Sequence, residues 1–415
     1  MKVFLTCYGG AHIAAVLPLF RTLMQRGHEC ELLALTTAGE VARREGIPHR
    51  RPIDFVDLSD PDVRRLGEEL ARRHHTEGKG LLREESVAYL GVSFLELVED
   101  VGEGLARRRY EKSGLNAFSP VRFMSRILQR VAPDAVVATT SPRMEKAALR
   151  AAFRLDIPSL CMVELFGLLE EPWLGRPDNG HVLAVSRHDV VRRLIAAGRD
   201  ETDIHLTGSP MFDPLAEPEL ADSGRAWRRA RGIGDHEKVV FWAEQPEPAD
   251  PDLPRRVRYH LAAVCRERGW RFVVRLHPSS TDHAAESIPE GCIQSLPQEA
   301  LAHVMHACDV GVTLTSTVGW ELLLCDKPVL VLRLSAFQDA VTYGEGDGAL
   351  AVDSLSDAAA GLLELLEDGA VAREMKRLRA LLPRPGGASD RISELLETTV
   401  QPRRYSLELN RTSFR

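Results

Sequence analysis

What this chain has little of narrows the field first. Its seven cysteines (Cys7, Cys30, Cys161, Cys265, Cys292, Cys308 and Cys325) are scattered singly through 415 residues, and no two stand at CxxC spacing. That excludes a disulfide framework and a zinc knuckle, and reads as reduced, buried thiols. No stretch approaches the roughly twenty apolar residues that a membrane-spanning helix requires, so any membrane contact is expected to be peripheral and weak. The opening MKVFLTCYGG has too short an apolar stretch for a signal-peptide core and no cleavage-like tail, which sets the expectation of a cytoplasmic protein. Basic charge is also short: 53 Lys and Arg stand against 60 Asp and Glu, a formal net charge of -7 with pI near 6.1. A surface of that balance is unsuited to the phosphate backbone, so no nucleic acid is expected as partner. Low-complexity tracts and residue-level repeats are absent as well.

What is present is a regular alternation of short apolar runs and amphipathic stretches. VFLTCY is followed by a helical segment to Gly27, then ECELLAL, a helix and RPIDFVDL; a helical insert occupies about 60–132; AVVATT, SLCMVE, HVLAVS and IHLTG follow with helices between them. Almost wholly apolar strands, each followed by a helix, mean a parallel sheet covered on both faces. A second series runs through KVVFWAEQ, RFVVRLHP, CIQSL, VGVTLTS, PVLVLRL and LAVD. Between the two lies GSPMFDPLAEPELADSG, rich in Pro, Gly and acids and without a period, which reads as a hinge. The fold class is therefore α/β with two tandem Rossmann-like domains, expected to face each other across a cleft: residues 1–215 with the insert, residues 216–383, and a helix and loosely held polar tail over 384–415 packing back toward the first domain.

Ligands of such sheets lie outside the carboxyl ends of the strands, where the next helix offers free N–H groups to an anion. VGVTLTS ends near Thr315, and a helix starts at Ser316 or Thr317, placing hydroxyls where they cap the helix or meet a phosphate. Glu321 falls four residues after Thr317, one too many for a capping box, which leaves its carboxylate available to accept from ribose hydroxyls. In RLHPSS, Pro278 cannot continue the ladder, so the chain turns with the His277 imidazole at the strand end. His74, His75, His303 and His306 sit on polar helical faces without a third ligand, and the Asp-Pro-Asp triplets at 60–62 and 250–252 read as turn and cap chemistry, so no metal is expected.

These residues carry a resemblance. SLPQEALAHVMHACDVGVTLTSTVGWELLLCDKPVLVL, residues 295–332, resembles the donor-binding half of GT-B glycosyltransferases. The resemblance implies Gln298 near the base, Ser316 and Thr317 near the phosphates and Glu321 on the ribose. His277, Pro278, Ser316 and Thr317 also match bacterial transferases that use CMP-sugars. CYGGAHIAAVLPLFRTLMQRGHECELL resembles the opening of nucleotide-sugar glycosyltransferases of the plant and antibiotic type, with His12 on the family's general-base histidine. Gly9 and Gly10 would let backbone approach the ligand. The chain departs from the family in reading GAHIAAVLP for GHxNPxLP, and in carrying Gln338-Asp339 where relatives hold donor-sugar hydroxyls with Asp-Gln. Glu164, at the end of SLCMVE, stands in reserve as base.

The implied activity is metal-independent, cofactor-free transfer of a sugar from a nucleotide sugar of UDP, dTDP or CMP type to an acceptor hydroxyl or amine, with His12 taking the acceptor proton. Two alternatives stay open: a sugar-nucleotide 2-epimerase, suggested by TGSPMFD and RLHP, and a non-catalytic nucleotide-sugar-binding partner. Against the epimerase, CYGGAHIA lacks the Gly-Thr-Arg-Pro-Glu stretch of such enzymes.

Overall fold

The structure is a computed structural model that describes all residues except 78–79, 164–166, 168–170, 278–287, 341–343 and 413–415. It divides into two compact units, Met1–Asp213 with Gly387–Arg415, and Pro214–Gly386.

The first unit runs β1 (Lys2–Cys7), α1 (Ala11–Gln25), β2 (Glu29–Ala34) and α2 (Ala38–Arg44). Four helices of the insert follow, α3 (Pro61–His74), α4 (Arg83–Val101), α5 (Glu103–Ser113) and α6 (Val121–Val131). Then come β3 (Ala135–Thr139), α7 (Met144–Arg154), β4 (Ser159–Met162), α8 (Glu171–Leu174), β5 (Val182–Val185), α9 (His188–Ala196) and β6 (Ile204–Leu206). The six strands form one parallel sheet in the order β2-β1-β3-β4-β5-β6. Alternation along β1 assigns its residues to two cores. Val3, Leu5 and Cys7 pack with Val16 and Leu19 of α1. Phe4 and Tyr8 pack on the opposite face with Leu66 and Leu70 of α3 and Phe94 of α4, so the insert is one wall of the domain core. It approaches closely because glycines face the crossing: a Cβ on Gly67 would lie 2.2 Å from the Val87 carbonyl oxygen, and one on Gly91 2.2 Å from that of Val63.

The second unit comprises α10 (Leu220–Arg229), β7 (Val239–Ala243), α11 (Leu253–Arg268), β8 (Arg271–Arg275), β9 (Ile293–Gln294), α12 (Leu301–Ala307), β10 (Val310–Thr313), α13 (Thr317–Leu324), β11 (Val329–Leu332), β12 (Leu350–Val352), α14 (Ala358–Leu366) and α15 (Ala370–Arg379). Its sheet is also parallel, in the order β12-β11-β10-β7-β8-β9. Val240 and Trp242 of β7, Val310 and Val312 of β10, and Val257 and Leu261 of α11 share one core.

The closing helix α16 (Ala388–Thr412) belongs to the first unit. Its Ile392, Leu396 and Val400 lie in the core with α1, and Asp213 accepts from the Ala388 and Ser389 amides at 2.8 and 3.0 Å, satisfying its first turn. Two expectations need correction. RPIDFVDL is not a strand: Pro52–Phe55 is a 3-10 turn, held by the Asp54 carboxylate accepting from the Arg51 amide at 2.8 Å, and only Arg50 bridges to the sheet, at Leu33. The loose tail expected after residue 400 is instead helical backbone as far as Thr412. Asp60 caps α3, accepting from Asp62 and Val63, as the first Asp-Pro-Asp triplet suggested. Among the described residues no helix is long and apolar enough to cross a membrane.

Candidate functional site

Each sheet reverses its winding once. In the first unit β2 lies on one side of β1 and β3 on the other; in the second β8 and β10 flank β7 in the same way. The carboxyl ends of these central pairs are the switch points where open parallel sheets form a crevice.

At the first switch point the chain leaves β1 through Gly9 and Gly10. Gly10 has φ 70°, and a Cβ on Gly9 would fall 2.0 Å from Thr37 Oγ1, so neither position tolerates a side chain without rearrangement. This tight exit places His12 in the first turn of α1. His12 Nδ1 lies 2.5 Å from Thr139 Oγ1, at the end of β3, and 3.7 Å from Glu145 Oε1, in the first turn of α7. Glu145 is fully buried. Its Oε2 accepts from the Thr139 hydroxyl at 2.5 Å and the Ser141 amide at 2.9 Å, and its Oε1 from the Tyr8 amide at 2.7 Å. Burial pushes this carboxyl above the usual range, opposed by His12 and by those three donors. Because Thr139 has one proton and gives it to Glu145, its oxygen must accept from His12. That sets Nδ1 as the protonated nitrogen and gives Nε2 the lone pair. The result is a histidine oriented through a hydroxyl by a buried carboxylate, an arrangement able to accept a proton at Nε2 and stabilise the imidazolium.

Beside it, the Tyr8 and Tyr89 hydroxyls lie 2.7 Å apart, and Met144 donates its amide to Tyr8 at 3.3 Å. The Arg143 guanidinium stands 4.6 Å from the Tyr8 ring centroid.

The second switch point is equipped differently: Glu244, directly past β7, pairs with the buried Arg258 of α11 at 3.6 Å, and the buried Glu247 accepts from the Ser335 hydroxyl. Gln245, just past β7, donates Nε2–H to Thr315 Oγ1 at 2.6 Å and accepts the Thr315 amide at 2.9 Å, tying the loops after β7 and β10 together. Ser316 is the N-cap of α13, accepting from the Val318 amide at 3.3 Å, and its own amide donates to Thr313 Oγ1 at 3.2 Å. Thr317 is exposed at the helix start, and Glu321 follows one turn on. Desolvation pushes Glu321 up to about 7, and among the described residues its carboxylate has no hydrogen-bond or ion-pair partner. His277 follows β8, half-buried, two residues past Arg275. Arg275 donates to Ser295 Oγ and to the Pro297 and Glu299 carbonyls, shaping the turn that carries Gln298, which is exposed. Gln338 and Asp339 are exposed on a 3-10 turn beyond β11. Glu164 and Pro278 lie outside the described residues. Among the described residues no group of three or more His, Cys, Asp or Glu is placed to hold a metal ion.

No family model matches this chain, and no curated protein does. Solved structures do. UDP-GlcNAc 2-epimerase from Neisseria meningitidis superposes with a TM-score of 0.60 at 15% identity, over 96% of this chain and 100% of that one. Acinetobacter baumannii MurG gives 0.57 at 11%, over 96% and 99%. The glycosyltransferase SsfS6 of Streptomyces sp. SF2575 gives 0.52 at 16%, over 96% and 99%. The fold is GT-B. In this GT-B chain the sequence reading brought His12 to the first switch point and Thr315, Ser316 and Thr317 to the second, but missed Thr139, Glu145, Tyr89, Arg143 and Gln245. An acid in the first helical turn after an apolar strand, as in AVVATTSPRMEK, is a readable signal. That it meets His12 depends on β3 pairing with β1, which no local pattern announces.

Proposed function

We propose that this chain is a glycosyltransferase that moves a sugar from a nucleotide sugar to an acceptor hydroxyl or amine, the first unit supplying the base and the second holding the donor. The chain from His12 through Thr139 to Glu145 carries this reading, supported by the GT-B fold it shares with glycosyltransferases such as SsfS6. The acceptor proton passes to His12 Nε2 as the acceptor atom bonds to the anomeric carbon. The bond from that carbon to the phosphate oxygen breaks, its electron pair leaving with the nucleotide. Glu145 keeps the imidazole in the right tautomer and offsets its new charge.

In the second unit, the amides at the start of α13 and the hydroxyls of Thr315, Ser316 and Thr317 would receive the phosphates, and Glu321 the ribose hydroxyls. His277 would add a donor to the phosphates, Gln298 would lie near the base, and Gln338 and Asp339 near the sugar. These donors are of the kind that stabilise a leaving diphosphate without a divalent metal.

The test is His12→Ala. Turnover with a nucleotide-sugar panel should collapse while the thermal shift given by the matching nucleotide persists. Unchanged turnover would remove His12 as base and turn attention to Glu164. Conversion of UDP-GlcNAc to its 2-epimer without an acceptor would establish an epimerase instead.

A further inference from the structure

The first unit holds a cavity of about 220 Å³ beside the His12 site, closed on one side by the insert. Its walls include Pro52, Leu81, Leu90 and Leu115, with the Tyr89 ring; a cavity of about 150 Å³ already admits benzene, so this one has room for a substituted ring. Tyr89 joins it to the site above, since its hydroxyl touches that of Tyr8, whose ring lies edge-on to His12 at 6.3 Å between centroids.

Three observations single out Arg143 on the wall of this cavity. It has φ 73°, in the left-handed region that non-glycine residues avoid, and such strain persists where the surroundings demand it. Its Nε is buried without a hydrogen-bond partner. Among the described residues no carboxylate lies within ion-pairing distance of its guanidinium, whereas Glu85, the lining acid, is paired with Arg51. The guanidinium is held by a hydrogen bond to Tyr89 and by the Tyr8 ring, with the Glu145 charge nearby, but with no carboxylate bound to it directly and its Nε unmatched it can take an anionic ligand group as a further partner. Burial holds the Tyr8 phenol well above its ordinary pKa, so both hydroxyls of the Tyr8–Tyr89 pair keep their protons near neutrality. One of these is used within the pair, and the other is left to donate elsewhere.

We infer that this cavity takes the inner end of the acceptor, an apolar ring or short chain bearing one anionic group, which pairs with Arg143. This rests on the transferase reading only in naming the ligand an acceptor. The anion selectivity stands by itself, and it is local, because the overall charge of -7 would otherwise repel such a molecule.

Binding of 4-hydroxybenzoate and of its neutral analogue 4-hydroxybenzamide to the full chain, without nucleotide, tests it by calorimetry. The acid should bind about tenfold or more tighter than the amide. Arg143→Gly should abolish that preference while the variant still unfolds in one cooperative transition, since glycine accepts the backbone angle even as the contacts to Tyr8 and Tyr89 are lost. Arg143→Lys should keep part of it. Equal binding of the two probes, failure of both to bind, or a preference that survives in Arg143→Gly would overturn the proposal. If the preference holds but no nucleotide sugar supports transfer to any acid-bearing acceptor, the transferase reading fails while the anion cavity stands.

Discussion

The two switch points occupy equivalent places in two similar parallel sheets, and they are equipped for different work. The first gathers an imidazole, a hydroxyl and a fully buried carboxylate from the first turn of α1, the end of β3 and the first turn of α7. The second gathers an amide, hydroxyls and a helix start, with Glu321 one turn in and with Glu244 and Glu247, just past β7, already engaged by Arg258 and Ser335. On the proposed reading, one moves a proton and the other holds an anion and its hydroxyls. The difference lies wholly in what stands at the strand ends, which shows how the same backbone geometry can be given either role by a few side chains.

The sharpest way to break this contrast is at the first edge. His12→Ala should lower kcat by about 10²- to 10⁴-fold, the range of a positioned general base, with nucleotide binding, measured calorimetrically, unchanged. Glu145→Gln keeps the shape and removes the charge. Turnover should drop by about 10²-fold and the pH at which activity rises should move down, because the imidazolium loses its compensating carboxylate; an unaltered pH–rate profile would mean that Glu145 only supports the loop.

At the second edge the effects are smaller. Glu321 has a folded pKa of about 7 against an ordinary 4.5, so its contribution to stability is fully present below pH 4.5 and is lost as the pH rises through 7. Glu321→Gln should therefore match the parent in urea unfolding at low pH and exceed it above pH 7 by at most about 3 kcal/mol. A nucleotide whose ribose is held by Glu321 should bind this variant more weakly at every pH. Gln245→Ala removes the tie between the loops after β7 and β10 and should cost about 1–2 kcal/mol of stability, with weaker nucleotide binding and no change in the affinity of a small acid for the first unit. The smallest change belongs away from both edges: Glu397→Ala breaks the partly exposed ion pairs with Arg26 and His28 and should cost at most about 1 kcal/mol.

Much of this was legible in the residues. Apolar runs such as VFLTC and VVFWA, each followed by a helix, specify parallel strands, because only a sheet covered on both faces buries every residue of such a run. The end of β10 and the N-cap at Ser316 were legible for a local reason, since strand end, cap and helix start lie within a few positions. RPIDFVDL misled because its alternation is a strand signal, while Pro52 and the Asp54 carboxylate favour a turn. The carboxylate behind His12 was illegible for the opposite reason: Thr139 stands 127 positions away.

The sequence by itself, then, determined the alternating pattern, the two parallel sheets and the hydroxyl-rich corner at Ser316, all consequences of periodicity and turn chemistry over a few residues. The tertiary structure alone decided that β3 lies beside β1, and with it the joining of His12 to Thr139 and Glu145, the burial of that carboxylate and the exposure of Arg143 to a cavity. Strand order is a long-range choice, made by the packing of whole faces rather than by any local preference, and the chemistry of the first edge exists only once that choice has been made.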